Sequence, residues 1–438
     1  MANSYLNRTM STGTSRRILT LSYWIKRSKL STGYPRICSY DQDDNNRFEN
    51  YIHQSDHMYV EHVSGGSQNI NLVTNRVFRD PSAWYHVVVA IDTTQGTAAD
   101  RVKLYINGVQ ETSFSTATYP SQDADLIFGT ANVFRIGETG YQSGGQYFDG
   151  YITHAAHVDG QALAPTVFGE TDSTSGIWKF KSPTGVTWGT NGFHLKFENS
   201  GALGTDSSGN TNNFTVNGDL KQALDTPSNV YCTMNPLDKS YSGTASLSNG
   251  NNTVTGDGTW QNMRLGTIGV NSGKWYWEIK LNSGNNANMH FGIVPETWNM
   301  NYSSNYFGQT GYYAFTINGS KYANASSSSG SGTFSNGDVV GLALDLNSGT
   351  KTLSIYQNTL VSGSVLNLDS TFDGQFWRPM FMGNNSSATA IGYFNFGNGF
   401  FGTTAITSAG SNGNGSLFEY DVPSGHYALN IRNINTYG

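Results

Sequence analysis

Charge is what this sequence has least of. Only 13% of its 438 residues are Asp, Glu, Lys or Arg, against about 25% in an ordinary globular chain. The formal net charge is −6, and no basic stripe accompanies it, which argues against a nucleic-acid partner. No run of about 18 apolar residues occurs, so no membrane insertion is expected. The opening stretch "MANSYLNRTMSTGTSRRILTL" lacks the apolar core of a signal peptide. Cysteine is almost absent. Cys38 and Cys232 stand far apart with no CxxC pairing, and two reduced thiols made in a reducing cytoplasm are expected. Strong helix formers are scarce, and no long pattern of period 3.6 appears.

Turns and aromatics are what the chain has instead. Gly numbers 51, and aromatics make up 13% of residues. That is enough apolar surface to build cores, so disorder is excluded. Strand-like runs recur between turn clusters. In "ILTLSYWIK", Leu19, Leu21, Tyr23 and Ile25 share a face. "WYHVVVAID" is apolar on both faces, as a central strand would be. "VKLYINGVQ" alternates and carries Asn107-Gly108, a hairpin signal. "VFRIGE", "YFDGYITHAAHV" and "FHLKFEN" follow, the last with Phe193, Leu195 and Phe197 on one face. "DGQALAPTVFGE" is the one place where a short helical turn is expected.

The pattern lapses between residues 218 and 228, which sets the expected domains at 1–220 and 221–438. Strands then resume. In "SGKWYWEIK", Trp275, Trp277 and Ile279 point one way, and Lys274, Tyr276, Glu278 and Lys280 the other. The first set reads as core, and Lys274 and Glu278 are expected to be at least partly exposed. Tyr276 suits either a surface or an interface. "NASSSSGSG", Asn324 to Gly332, reads as an exposed loop.

The first half resembles the laminin-G-like, concanavalin A-like jelly roll. "LTLSYWIKRS", "SAWYHVVVAIDTT", "VKLYINGVQ", "VFRIGE" and "YFDGYITHAAHVDGQALAPTVFG" stand in that family's order. One departure is that "FHLKFENSGALGTDSSGNTNNFT" comes after the last expected strand. It resembles a circular permutation, with the closing strand near residues 193–198 pairing inside the first unit. The second half resembles a SPRY domain through "GVNSGKWYWEIKL", "FGIV", "GDVVGLALDLNSGTKTLSIYQN" and "FWRPMFMG". The expected fold is therefore all-β: two concanavalin A-like antiparallel β-sandwiches in tandem. The pairing of the two, with the ending "FEYDVPSGHYAL", looks like virion proteins of marine tailed bacteriophages. The resemblance implies a tail fibre or other appendage, located in the virion and assembled in the host cytoplasm. Implied partners are other virion proteins, further copies of the chain in a homo-oligomer, and a host-surface glycan.

Three function classes follow: glycan adhesion, a purely structural decoration or assembly role, and glycoside hydrolysis. Glycosidases need two converging carboxylates. Glu170-Thr171-Asp172 and Glu419-Tyr420-Asp421 begin an E-x-D-x-x-E motif, but neither closes it. No G-x-S-x-G elbow or Walker loop occurs. The histidine pairs His53/His57 and His154/His157 lack metal-site company. A non-enzymatic protein is expected. No cofactor is expected apart from calcium, which laminin-G-like domains bind at a loop rim in some cases. Asp41, Asp43 and Asp44 are the candidate ligands, although a polar hairpin turn is the favoured reading of them. "DSSGN", Asp206 to Asn210, reads as a turn. The candidate ligand-binding loop is "PETWNMNYSSNYFGQTGYY", which lacks period-two order. Trp298, Tyr302 and Tyr306 would stack on sugar rings, with Asn299 and Asn301 supplying amide hydrogen bonds. Two other uses suit it: a cap over its own sandwich, and a contact surface within the virion.

Overall fold

Leu19, Leu21, Tyr23 and Ile25 all point into one core and are at most 3% exposed. They set the register of the first sandwich, because slipping by one residue would turn all four outward. The computed structural model describes residues 3–141, 146–239, 245–256, 262–283, 289–300, 309–383 and 390–438. The chain divides into two compact units, Met1–Gln222 and Ala223–Gly438.

The first unit has two sheets. The eight-stranded sheet runs in the order β10 (Phe114–Thr118), β6 (Ser67–Val77), β5 (His57–Ser64), β4 (Asn46–Ile52), β3 (Arg36–Asp43), β11 (Val133–Ile136), β1 (Tyr5–Thr9), β16 (Thr215–Asn217). The six-stranded sheet runs β15 (Phe193–Leu195), β12 (Gly150–Asp159), β2 (Ile18–Arg27), β7 (Trp84–Asp92), β8 (Val102–Ile106), β9 (Val109–Gln110). Their inner faces share one core, from Leu6 to Phe214. A hairpin, β13 (Gly169–Thr171) and β14 (Trp178–Phe180), stands apart. The short helical turn is a 3-10 turn at Pro165–Val167. Asn107 and Gly108, both at positive φ, close the β8–β9 hairpin.

The closing segment serves both sheets. Phe193 pairs with His157 and Leu195 with Ala155, which places β15 beside β12. Thr215–Asn217 then pairs with β1. Phe193 and Phe214 pack edge to face at 4.6 Å. The "DSSGN" turn joins them: Asp206 accepts the backbone N–H of His194, Ser208 and Asn212. The strand stops short of the expected Glu198, because Phe197 takes a left-handed backbone, φ 61°.

The second unit also has two sheets. Seven strands run Met234–Lys239, Asn262–Gly266, Trp377–Gly383, Met289–Pro295, Tyr313–Thr316, Ser320–Ala323, Ser326–Ser329. The serine tract is thus an exposed edge strand, where a loop was expected. The other sheet centres on Lys274–Ser283, hydrogen-bonded to Val339–Asp345 and Ala390–Asn395. Tyr427–Ala428 runs parallel beside it. The helix α1 (Ile431–Tyr437) follows, capped by Asn430.

Trp275, Trp277 and Ile279 are fully buried between these sheets. Lys274 is half-buried and pairs with Asp345 at 2.7 Å. The expectation for Glu278 was wrong: it is fully buried. A carboxylate can leave water when donors replace the lost hydration. Here the backbone N–H groups of Glu419 (2.9 Å) and Tyr420 (2.8 Å) supply them, with Asn395 Nδ2 and the Tyr276 hydroxyl. Phe418 packs edge to face on Tyr276 at 5.0 Å, so the chain end covers the outer face. Burial pushes the Glu278 carboxyl up to about 7.

Trp275→Ala should lower the stability of this unit by ~3–5 kcal/mol in chemical denaturation. A change below about 1 kcal/mol contradicts the core placement. Glu278→Leu leaves two backbone donors without their acceptor. Amide exchange at residues 418–422 should then rise, and unchanged exchange there contradicts the role of Glu278 in holding that segment.

Candidate functional site

The loop after Met289–Pro295 does not present its tryptophan to solvent. Trp298 is 8% exposed and packs with Met263, Leu265, Val294, Met380 and Met382 on the outer side of the seven-stranded sheet. Its ring lies 5.6 Å from that of Tyr312. Trp298 is therefore corrected from a stacking platform to the anchor of a cap, because a large ring over bare methionines is stable only when buried. Asn299 is exposed. Asn301, Tyr302 and Tyr306 lie outside the described residues.

The calcium candidates each have partners within the chain. Asp41 is buried, ion-paired to Arg135 and bonded to the Ser39 hydroxyl. Asp43 accepts the Asn45 N–H and the Asn46 amide, which is turn chemistry. Asp44 is exposed, 3.9 Å from Arg47. Among the described residues, no three His, Cys, Asp or Glu side chains are placed to hold a metal ion.

A different surface draws chemistry together. Along β3–β6 most residues facing away from the core are polar or aromatic, with Val63 and Val73 among them, and strand register sets them in rows. One row crosses six strands through Arg135, Ser39, Glu49, Glu61, Asn71 and Thr118. Tyr51 pairs with Tyr59 in the next row. Arg36 grips Glu49 with two bonds, Nε–Oε1 2.6 Å and Nη2–Oε2 3.1 Å. Arg47 reaches both Glu49 and Glu61. The Tyr141 hydroxyl donates to Glu49 at 3.1 Å. Arg36 lies over the Tyr51 ring, 4.1 Å from its centre, and Tyr51 stacks on Tyr59 at 4.9 Å. His53 and Tyr34 extend the cluster. Arg36, Glu49 and Tyr51 are buried; Tyr59, Tyr34, His53 and Asn71 are half-buried; Thr118 is exposed. A rigid ion-paired base thus carries an accessible edge of rings, amides and hydroxyls.

The outer side of the six-stranded sheet is covered. Trp178, Phe180 and Trp188 stack on His86, His154 and His194 respectively. Trp178 is seated by Gly108 and Gly169, where any Cβ would come within 2.6 Å of its ring. The Trp178 indole N–H donates to His86 Nδ1 at 2.9 Å. An indole can only donate, so Nδ1 is the acceptor and the proton sits on Nε2, facing the Ser22 hydroxyl at 2.9 Å. That tautomer cannot take a proton from Ser22, so the pair is no nucleophile–base dyad.

Paired carboxylates are engaged elsewhere. Glu170 and Asp172 share Lys179. Glu419 accepts from Thr407, and Asp421 from the Ser411 N–H. Glu278 has a raised pKa, as a general acid would, but no exposure to substrate. Cys38 and Cys232 are free and buried, and burial pushes their thiols up to about 12 and 11, which makes them poor nucleophiles.

Residues 2–166 match the family described as the concanavalin A-like lectin/glucanases superfamily, Laminin_G_3. Residues 274–398 match the SPRY domain family. The chain therefore carries a concanavalin A-like domain and a SPRY domain, both β-sandwich folds. Among solved structures it is similar to the SPRY domain of human HERC1, at 17% identity, covering 33% of this chain and 87% of that one, TM-score 0.27. It is also similar to a native heptameric SAP-like pentraxin from Limulus polyphemus, at 19% identity, covering 42% and 82%, TM-score 0.30. A third is Domain 4 of AbnA, a GH43 extracellular arabinanase from Geobacillus stearothermophilus, in complex with arabinotriose, at 19% identity, covering 36% and 72%, TM-score 0.28. No curated protein matches the chain.

The buried imidazoles make the first unit acid-sensitive. Burial lowers His86 and His154 to about 3 and His194 to about 4, and His157 moves the same way. Their unfolded values are near 6.5. The unfolded chain thus binds more protons as pH falls below 6.5, and stability is lost down to the folded values. Glu138 and Asp149, raised by burial, act in the opposite sense but are fewer. The melting temperature of the first unit should fall steadily from pH 6.5 to 4, and His154→Gln with His194→Gln should flatten the slope. A melting temperature constant over that range contradicts this account.

Proposed function

We propose that this chain is a non-enzymatic, lectin-like surface protein of a phage particle, a tail-fibre or appendage component that attaches to host-surface glycans. The carrying observation is the outer face of the eight-stranded sheet. It offers an aromatic edge, Tyr59 with Tyr51 behind it, beside the Glu61 carboxylate and the Asn71 amide. Sugar rings are held by stacking on such edges and by hydrogen bonds to acceptors and amides beside them. Support for a binding rather than a cleaving face comes from its carboxylates. Glu49 and Glu61 face arginines and tyrosine hydroxyls, whereas a general acid is set apart in an apolar pocket. The virion setting, the homo-oligomer and the contacts with other virion proteins rest on the resemblance of the two-domain arrangement and its ending.

A purely structural assembly role is favoured by one observation. The edge strand Thr359–Asn367 is nine residues long, has no charged residue and exposes Leu360 and Val365. Edges of that kind accept another strand.

The test substitutes Tyr59→Ala and Trp298→Ala separately. Tyr59→Ala should abolish attachment to host cells with the melting temperature nearly unchanged. Trp298→Ala should lower stability by ~3–5 kcal/mol and leave attachment intact at temperatures where the protein is folded. Attachment that survives Tyr59→Ala but is lost in folded Trp298→Ala would move the site to the second unit.

A further inference from the structure

The binding face has no spare positive charge. None of the eight strands of its sheet contains a lysine. They carry five arginines, and each is already engaged. Arg36 is held by Glu49, Arg47 by Glu49 and Glu61, and Arg135 by Asp41 and Glu138. Arg76 pairs with Glu111, and Arg8, opposite the core residue Phe134, stands on the other side of the sheet, where it bonds to Asn212 and the Asn213 carbonyl. Around the tyrosine edge, three guanidinium groups meet four carboxylates.

We infer that the ligand of this face is an uncharged oligosaccharide, and that acidic polysaccharides are excluded. The inference rests on the reading of the face as a glycan site. An acidic sugar would bring its charge beside Glu61 and Glu49. To gain a cation it would have to pull an arginine away from carboxylates that are at most 9% exposed, which is costly. A neutral sugar asks for nothing of the kind. Its hydroxyls receive hydrogen bonds from the half-buried Asn71 amide and exchange them with the exposed Thr118. Its C–H face meets the Tyr59 ring. The ion pairs stay intact, so they act as a fixed base that sets the spacing of acceptors.

Salt dependence separates the two ligand classes. Contacts between free charges weaken as salt is added, whereas stacking and neutral hydrogen bonds do so far less. The experiment presents the full chain to an array of neutral and acidic oligosaccharides. The best ligand is then titrated by calorimetry in 0.05 M and 0.5 M NaCl, for the native protein and Tyr59→Ala. Neutral glycans should bind, Kd should change less than about twofold with salt, and Tyr59→Ala should weaken binding by about tenfold or more. Acidic glycans that bind with strong salt dependence and are lost in Tyr59→Ala would overturn this inference while keeping the face as the glycan site. Binding unaffected by Tyr59→Ala, or no binding to any glycan, would overturn both.

Discussion

The binding face depends on the ion pair between Arg36 and Glu49. Both side chains are buried, at 5% and 1% exposure. Such a pair contributes little net stability, since desolvation offsets most of the attraction. What it contributes is position. Arg36 reaches Glu49 with two bonds and leaves its plane over Tyr51. Tyr51 then fixes Tyr59 by stacking. Glu49 orients Arg47, which orients Glu61. Removing either member would strand a buried charge and release the rings and acceptors together.

Sheet faces elsewhere in the molecule are closed by the chain itself. On the six-stranded sheet, the segment bearing Trp178, Phe180 and Trp188 lies over three imidazoles. In the second unit, the stretch from Phe418 to Ala428 covers Tyr276 and ties to Glu278, while Trp298 covers the methionines of the seven-stranded sheet. Each cover sets aromatics on a sheet; the first adds the Trp178 bond to His86, and the second two backbone bonds to Glu278. The polar row through Glu49 and Glu61 is the contrasting case, because its side chains satisfy one another and need no apolar cover.

The sequence made some of this legible and hid the rest for identifiable reasons. Trp275, Trp277 and Ile279 were readable as core because apolar alternation has one dominant interpretation in a strand. Glu278 was not, because its donors are backbone groups some 140 residues further on, which no local pattern can report. The strands β3–β6 were largely missed, although they build the candidate site. Their outward residues Arg36, Glu49 and Glu61 are charged yet buried, with Arg47 half-buried among them, so no apolar alternation marks that face. The aspartates at 41–44 were noticed for their charge, but the partner that engages Asp41 is Arg135, on a strand far along the chain. Trp298 misled in the opposite way. Irregular spacing suggested a displayed loop, whereas the ring covers methionines contributed by two other strands, Asn262–Gly266 and Trp377–Gly383. What alternation alone offered was register and outer face; pairing Glu49 with Glu61 across β4 and β5 was the available signal.

The most direct test is a crystal of the full chain soaked with a neutral oligosaccharide that binds it in solution. The account predicts sugar density stacked on Tyr59 and within hydrogen-bond reach of Asn71 and Thr118, with the Arg36–Glu49 pair unmoved. Density confined to the second unit, or an Arg36–Glu49 pair opened to admit the ligand, would contradict it.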